Sequence, residues 1–564
     1  MARACEKIID VLIEAGVEYI FGMPGGGTIP IWDSLYGRED KIKGVLCRHE
    51  QVAACMADAY GRLTGKPAVL MGQGPFIASN GAFGILESYT YGSPMLVITD
   101  TSEGGLSQHG NYQSGSGEYG SFDIVNMMRG MSKYTTYAVT PEEAVHGVQL
   151  GLKHAITGRP GPSSVVMRNT AITGEFNPQR NPRIFPTAGY LKTANYSPTA
   201  DEIKKVSQDI INAKHPVILA GSGVHASRAY DELKELAELL GIPVVTSYRG
   251  KSAFPEVHPL GLGMIGMYGQ KVANDFVVQA DLLLIAGCRL SPSDTKSENP
   301  NFINPARQKI IQIDIEPRNA SWIFPAETNL IGDLKIVLQQ LITSIKRITG
   351  GELTETRSRI VAVDKAKQAA NAFSTPEMSS DASPVLPQRI VAEIQKATDD
   401  TGFITLDAGV NRLWMAHFYK SQRAGSVFCP GGVAGMGWAP PAALAVKLLH
   451  PDKPVLSVSG DGGFAMVTHV LSTALQYKIP VVFLVMNNSC LGWIHEGQRG
   501  KYVCSEFIDT DFAAIARAYG ANGIRIDKPE ELAPALKKAF KATIPTVIDV
   551  ITSTAETNYK MIDM

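Results

Sequence analysis

The stretch KPVLSVSGDGGFAMVTHVLSTALQYKIPVVFLVMNN, residues 453–488, decides the fold. An apolar run ends at Gly460-Asp461-Gly462-Gly463, a helical pattern (FAMVTHVLSTALQ) follows, and a second apolar run, VVFLVM, ends at Asn487-Asn488. Strand, glycine turn, helix, strand is the repeating unit of a parallel sheet covered on both faces, because a parallel connection needs a crossover long enough to hold a helix. Both polar signals then leave the carboxyl ends of strands, where open α/β sheets bind ligands. The glycines free the turn to present backbone N–H groups to an anionic ligand.

The same alternation extends through the chain and predicts an α/β fold of three doubly wound parallel-sheet domains, over residues 1–175, 190–348 and 380–555. In the first block, strands are expected in VEYIFGM, IKGVLC, PAVLMG, SPMLVIT and SSVVM, with a helix in HEQVAACMADAYGRLTG. In the second they fall in HPVILAGSGV, GIPVVTSYRG, ADLLLIAGCRL and RQKIIQIDIEP, and a helix runs from about Lys335 to Ile348. The third block holds TGFITLDAG beside the two strands above, and TVIDVIT. Two stretches with little periodicity, about residues 175–198 and 350–385, are expected to be linkers.

Composition sets the class. The 564 residues are 45% hydrophobic and 19% charged, with 53 lysines and arginines against 54 acids, so neither a nucleic-acid nor a membrane partner is indicated. Seven scattered cysteines, none in a CxxC pair, suggest neither a disulfide framework nor a zinc site. The start, MARACEKIIDVLIEAGV, reads as an amphipathic helix within the fold rather than a signal peptide. A cytoplasmic location is expected.

Twenty-three residues separate Gly463 from Asn487. Asp461 and Asn488 offer the hard oxygens that Mg²⁺ takes while it also holds diphosphate oxygens, with one further backbone carbonyl placed at Cys490. The plainer reading is a tight turn whose aspartate caps a helix. The doubled glycine, the spacing and the strand-end asparagines together favour the ligand reading. In the first block, the strand GVLC runs into Arg48-His49-Glu50-Gln51 and a helix. A glutamate there either complements a helix dipole or aims a partly buried carboxyl at a ligand. A carboxyl hydrogen-bonded to an aminopyrimidine nitrogen would let a thiazolium cofactor generate its own carbanion, and the anchor in the third block favours that role for Glu50.

These segments resemble the acetohydroxyacid (acetolactate) synthase branch of the thiamine-diphosphate-dependent decarboxylases and carboligases. The likeness is carried by FGMPGGGTIPIWDSLY, CRHEQVAACMADAYGRLTGKP, Thr157-Gly158-Arg159-Pro160-Gly161-Pro162, LGLGMIGMYG, DLLLIAGCRL, IIQIDIEP and PGGVAGMGWAPPAALAVKLLHPDKPVLSVSGDGGF. The resemblance implies pyrimidine-binding, central nucleotide-binding-like and diphosphate-binding domains. It makes Glu50 the cofactor-activating acid and Met436 the apolar residue that bends thiamine diphosphate. The Ala434 carbonyl would hold the cofactor's amine, Gly462 and Gly463 the diphosphate, and Asp461, Asn488 and Cys490 the Mg²⁺. Arg289, Asp314 and Asp333 match residues near a structural FAD, a site where related branches hold ADP. A homodimer or homotetramer with active sites at the subunit interface is also implied.

Three departures blur the substrate. Trp493 and Gly497 stand where the synthases carry a methionine and a tryptophan, so the second-substrate pocket is expected to be reshaped. The loop SEGGLSQHGNYQSGSGEYGSF is longer than the synthase pattern; it replaces a Phe-Gln pair by Tyr119-Gly120 and adds His109. Phe76 enters the loop GQGPFIASN. Gly26, Phe76, His109, Tyr119, Lys133, Trp493 and Glu496 are therefore candidate pocket residues, although loop exposure or surface pairing explains several equally well. The expected reaction is decarboxylation of a 2-oxo acid such as pyruvate and ligation of the resulting enamine to a second carbonyl. A 2-hydroxyacyl-CoA lyase, an oxalyl-CoA-decarboxylase-like or hydroxy-ketone lyase, and a flavin-dependent 2-oxo acid oxidase are the alternatives.

Overall fold

In the computed structural model, which describes residues 2–102, 112–192, 196–351 and 356–562, apolar runs become the inner strands of three six-stranded parallel sheets. The first holds β1 (Tyr19–Met23), β2 (Lys43–Leu46), β3 (Ala68–Gly72), β4 (Met95–Asp100), β5 (Tyr134–Ala138) and β6 (Pro162–Met167), in the order β2-β1-β3-β4-β6-β5. The second holds β7 (Pro216–Ala220), β8 (Val244–Thr246), β9 (Gly261–Met264), β10 (Leu282–Ala286), β11 (Lys309–Asp314) and β12 (Thr328–Ile331), in the order β12-β11-β10-β7-β8-β9. The third holds β13 (Phe403–Leu406), β14 (Val427–Phe428), β15 (Val455–Gly460), β16 (Val482–Asn487), β17 (Asn522–Ile526) and β18 (Thr546–Ile551), in the order β14-β13-β15-β16-β18-β17. The α/β class with three parallel sheets is therefore as expected.

Helices cover both faces of each sheet, which buries the strands on both sides. The second sheet has a core of its own. The first and third sheets each keep one private core and share another. That shared core forms where the helix Glu50–Thr64 packs on the helix Ala439–Leu449. Both helices bury alanines in that core (Ala53, Ala54 and Ala57 on one, Ala439, Ala442 and Ala443 on the other), and small side chains let two helix backbones approach closely.

Several details differ from the sequence reading. The stretch 350–385, expected to be a linker, contains the helix Thr356–Ala369. Its exposed face mixes polar residues with Val361 and Ala362, and Val363 is its buried residue, so the apolar stripe that marks a helix is nearly absent. The pattern FAMVTHVLSTALQ is not one helix but two short ones, Asp461–Ala465 and Val470–Gln476. By contrast, the helix expected at about Lys335 to Ile348 spans Leu334–Thr349, and Gly350 ends it in the left-handed conformation. Among the described residues, no helix is long and apolar enough to cross a membrane.

Candidate functional site

A cavity of about 360 Å³ opens at the carboxyl ends of the third sheet, lined by residues 387–556. It brings together Asp461, Gly462, Gly463, Asn488, Cys490, Ala434 and Met436. Asp461 follows β15 directly and Asn488 follows β16, two strands that pair in register, so the sheet itself fixes their separation. Asp461 Oδ1 accepts the Gly462 N–H at 2.7 Å, while its Oδ2 is buried without a hydrogen-bond partner. Burial pushes this carboxyl up to about 6, with nearby backbone N–H groups opposing the rise. Ser489, at φ +55°, turns the chain so that the Cys490 N–H reaches Asn488 Oδ1 at 3.3 Å.

An orphaned carboxylate oxygen in a cavity is a position a cation would complete. Among the described residues no three His, Cys, Asp or Glu side chains converge, so a cation here would be held by one carboxylate and neutral oxygens. That donor set suits Mg²⁺ shared with a diphosphate, and Gly462 and Gly463 leave backbone beside it uncovered by side chains.

Met436 lies in a segment clamped from both sides by buried carboxylates that the sequence reading did not single out. Asp407, at the end of β13, accepts the N–H groups of Gly437 at 2.8 Å, Trp438 at 2.9 Å and Ala439 at 3.1 Å. Glu87, from the helix Ala82–Tyr91 of the first domain, accepts those of Gly431 at 2.7 Å, Gly432 at 2.7 Å and Ala434 at 2.9 Å. Ala434 is held at φ +56°, a region that costs a non-glycine residue conformational energy. Asp407 repeats the signature of Asp461, an acid directly after an apolar run, and could have been found from it. Glu87 lies inside a helix and carries no such signal.

Glu50 opens the helix Glu50–Thr64 after the strand Lys43–Leu46. It is 3% exposed, and its Oε2 accepts a hydrogen bond from Asn80 Nδ2 at 3.0 Å. Glu50 is not among the residues lining the cavity of its own chain. Above the first sheet, Asp100 gathers three loops by accepting the N–H groups of Gly27 at 2.9 Å, Gly74 at 3.0 Å and Ser102 at 2.9 Å. Gly26 precedes this clamp at φ +53°, and Phe76 lies in the helix Gly74–Ser79 beyond it.

The remaining pocket candidates scatter. Trp493 and Glu496 line the cavity, and the Trp493 ring meets Tyr268 of the central domain edge-on at 5.7 Å. Glu496 accepts the Asn558 N–H at 2.9 Å, and burial pushes its carboxyl up to about 7. Gly497 is exposed and does not line the cavity, so its missing side chain opens onto solvent, and the reshaping expected there is not seen in this chain. Lys133 is tied to the carbonyls of Thr157 and Arg159, both at 2.7 Å, and burial pushes its amine down to about 8. Tyr119 projects into solvent. His109 lies outside the described residues.

Arg289, Asp314 and Asp333 line a second cavity of about 210 Å³ between the first and central domains. Asp314 ends β11 and accepts the Glu316 N–H at 2.9 Å; burial raises its carboxyl, against the pull of that N–H, Asn319, Arg159 and Arg289. Burial, with Arg249 and Arg159 nearby, pushes Arg289 down to about 10. Asp333 caps the helix Leu334–Thr349 through the Ile336 N–H at 3.2 Å. Crowded arginines beside a strand-end acid fit the phosphates and ribose of a nucleotide.

Comparison with known proteins finds three family models along the chain. Residues 3–118 match the thiamine pyrophosphate enzyme N-terminal TPP binding domain, residues 203–341 its central domain and residues 407–550 its C-terminal TPP binding domain. The chain is 33% identical to a probable acetolactate synthase large subunit of Methanocaldococcus jannaschii, over 98% of this chain and 92% of that one. It is 31% identical to the acetolactate synthase large subunit of Haemophilus influenzae, over 99% and 95%. It is 30% identical to the acetolactate synthase isozyme 3 large subunit of Escherichia coli, over 96% and 92%.

Proposed function

Because the chain belongs to the thiamine pyrophosphate enzyme family, alongside acetolactate synthase large subunits, we propose that the cavity at the end of its third sheet holds thiamine diphosphate through Mg²⁺. The enzyme is a thiamine-diphosphate-dependent, acetolactate-synthase-like carboligase. Its reaction is decarboxylation of a 2-oxo acid such as pyruvate and joining of the remaining fragment to a second carbonyl. The observation that carries the site assignment is the buried, unpartnered Asp461 Oδ2 beside two glycines and Asn488.

When bound, thiamine diphosphate supplies the carbon nucleophile and the electron sink that breaking or making a bond beside a carbonyl requires. Asp461, the Asn488 side chain and the Cys490 carbonyl would hold the cation, and the backbone at Gly462 and Gly463 would face the diphosphate. Met436 would fill the bend between the cofactor's two rings, with the Ala434 carbonyl accepting a hydrogen from its amine. The Glu50 carboxyl would exchange a proton with the pyrimidine nitrogen. Trp493 and Glu496 would face the substrates, and Trp493 backed by Tyr268 would limit the acceptor's size.

Glu50 lies off the cavity of its own chain, which supports a homodimer or homotetramer in which it serves the cavity of a second copy. Val433 and Met466, apolar and half-exposed on segments that shape the cavity, favour a covering surface there. The groove at Arg289, Asp314 and Asp333 would take FAD as a structural group, or ADP. Seven free cysteines, six of them buried, favour a reducing cytoplasm.

Glu50→Gln tests this reading. Loaded with Mg²⁺ and thiamine diphosphate, the variant should fold and bind cofactor but exchange the thiazolium C2 proton far more slowly. Exchange at the wild-type rate would remove Glu50 from the site. Mass analysis of products from pyruvate with a panel of second carbonyl compounds then identifies the acceptor.

A further inference from the structure

We infer that Glu87 is a positioning residue that ties the segment 429–436 to the first domain of the same chain, fixing the ring end of the cofactor separately from its diphosphate end. This rests on the reading of the cavity given above.

Glu87 has no exposed surface. Its Oε1 accepts from Arg62 Nη2 at 2.6 Å and from the N–H groups of Gly431 and Gly432, and its Oε2 accepts from Ala434. Arg62 also meets Asp58 Oδ2 at 2.7 Å, and its Nη1 donates to the Cys429 carbonyl at 2.9 Å. Asp58 Oδ2 accepts the Trp438 indole N–H at 2.8 Å. The third-domain segment is thus attached to the first domain at Cys429, Gly431, Gly432, Ala434 and Trp438. Burial pushes the Glu87 carboxyl up, but Arg62 and the three N–H groups outweigh it and leave the group below its ordinary value.

Backbone packing alone could hold a loop, so an ion triad buried between domains needs a further reason. Buried ionic groups of this kind add little net stability over apolar packing, and their best-attested use is to fix one arrangement. The arrangement fixed here is the left-handed Ala434, whose peptide orientation aims the carbonyl assigned to the cofactor's amine. The segment has no room to slide: a Cβ on Gly432 would lie 2.4 Å from the Glu87 carbonyl oxygen. The diphosphate end depends instead on Asp461 and Asn488, whose spacing the in-register strands β15 and β16 set within the third domain.

Glu87→Gln separates the two ends. A carboxamide keeps the shape but places an NH₂ either against the Ala434 N–H or against the two glycine N–H groups and Arg62, so one set of bonds is lost. In the full-length protein with Mg²⁺ and thiamine diphosphate, cofactor affinity should stay within about threefold of wild type. The C2 proton exchange rate per bound cofactor should fall about tenfold to a hundredfold. Wild-type exchange in Glu87→Gln would overturn the inference. So would a loss of affinity as large as the loss of exchange, which is what a merely structural role produces. Glu50→Gln run in parallel separates the levels: if it leaves exchange unchanged, the cavity reading itself fails. If Glu87→Gln does not fold, Glu87→Asp is read by the same criteria, since it keeps the charge beside Arg62 but withdraws the carboxylate from the segment by one methylene.

Discussion

Gly463 passes so close to Asp407 that a Cβ on it would lie 2.3 Å from the Asp407 Oδ2. That carboxylate cannot step aside, because it is holding the N–H groups of Gly437, Trp438 and Ala439. Gly463→Ala should therefore cost about 1–3 kcal/mol of stability, the range for overpacking a filled interior. It should also weaken thiamine diphosphate binding, since Asp407 anchors the chain just after Met436. Gly462→Ala is the control: its Cβ would meet the end of the Leu491 side chain at 3.2 Å, which can give way. Urea denaturation of the two metal-free variants checks the contrast, and equal midpoints would contradict it.

Asp461 makes the metal-free protein sensitive to pH in a defined direction. Its carboxyl rises from an ordinary value of 3.8 to about 6 because of burial, so the native state holds the proton more tightly than the unfolded chain. Stability is then lost as pH rises between those two values, and the deficit persists above them, on the order of 1–3 kcal/mol. Asp461→Asn should consequently raise the melting temperature of the metal-free protein at about pH 7.5 and change it little at about pH 4. Mg²⁺ with thiamine diphosphate should stabilise the wild type and not the variant. A variant that melts no higher than the wild type and still responds to Mg²⁺ would show that Asp461 is neither strained nor a ligand.

The inner strands were legible and, apart from β2, the edges were not. β5, β9, β12, β14 and β17 escaped the sequence reading, and every one lies at the edge of its sheet. An inner parallel strand is buried on both faces and reads as an apolar run, as in VLSVSG or VFLVMN. An edge strand such as Tyr134–Ala138 or Asn522–Ile526 is partly wet and carries no such run, while β14 is two residues long. The cavity shows the same divide. Asp461 and Asn488 stand next to glycines and strand ends, where local sequence announces them, while Met436 was marked only by the family resemblance. Glu87 acts on residues 344 to 347 positions away, and no local pattern encodes that distance.

Arg62 is what makes two neighbouring buried acids tolerable. Burial raises the Asp58 carboxyl and Arg62 opposes that rise, while the same guanidinium helps hold Glu87 below its ordinary value. Arg62→Met keeps most of the side-chain volume but leaves both carboxylates without a cation. Breaking such a group by removing one partner costs about 3–5 kcal/mol. With the cation gone, both carboxyls would bind protons more tightly in the folded state, so the loss should be larger at about pH 8 than at about pH 5. Denaturant midpoints at the two pH values check this. A loss that is equal at both, or larger in acid, would mean that the acids are not ionised around Arg62.

The groove proposed for a nucleotide is an independent test case, because it shares no lining residue with the cavity proposed for thiamine diphosphate. Asp314 ends a strand beside Arg159 and Arg289, and its Oδ1 accepts both the Glu316 N–H and the Asn319 amide while, among the described residues, its Oδ2 takes no hydrogen bond, so it lacks a full complement of donors. A ribose hydroxyl would supply one, and losing a hydrogen bond to a charged group costs about 1.5–3 kcal/mol. Asp314→Ala should therefore weaken FAD or ADP binding about tenfold to a hundredfold. The C2 proton exchange of bound thiamine diphosphate should stay as in the wild type, since Asp314 does not line that cavity. Calorimetric titration with each nucleotide shows which one the groove prefers. Unaltered affinity for both in the variant would return Asp314 to the role of a turn residue holding the Glu316 N–H.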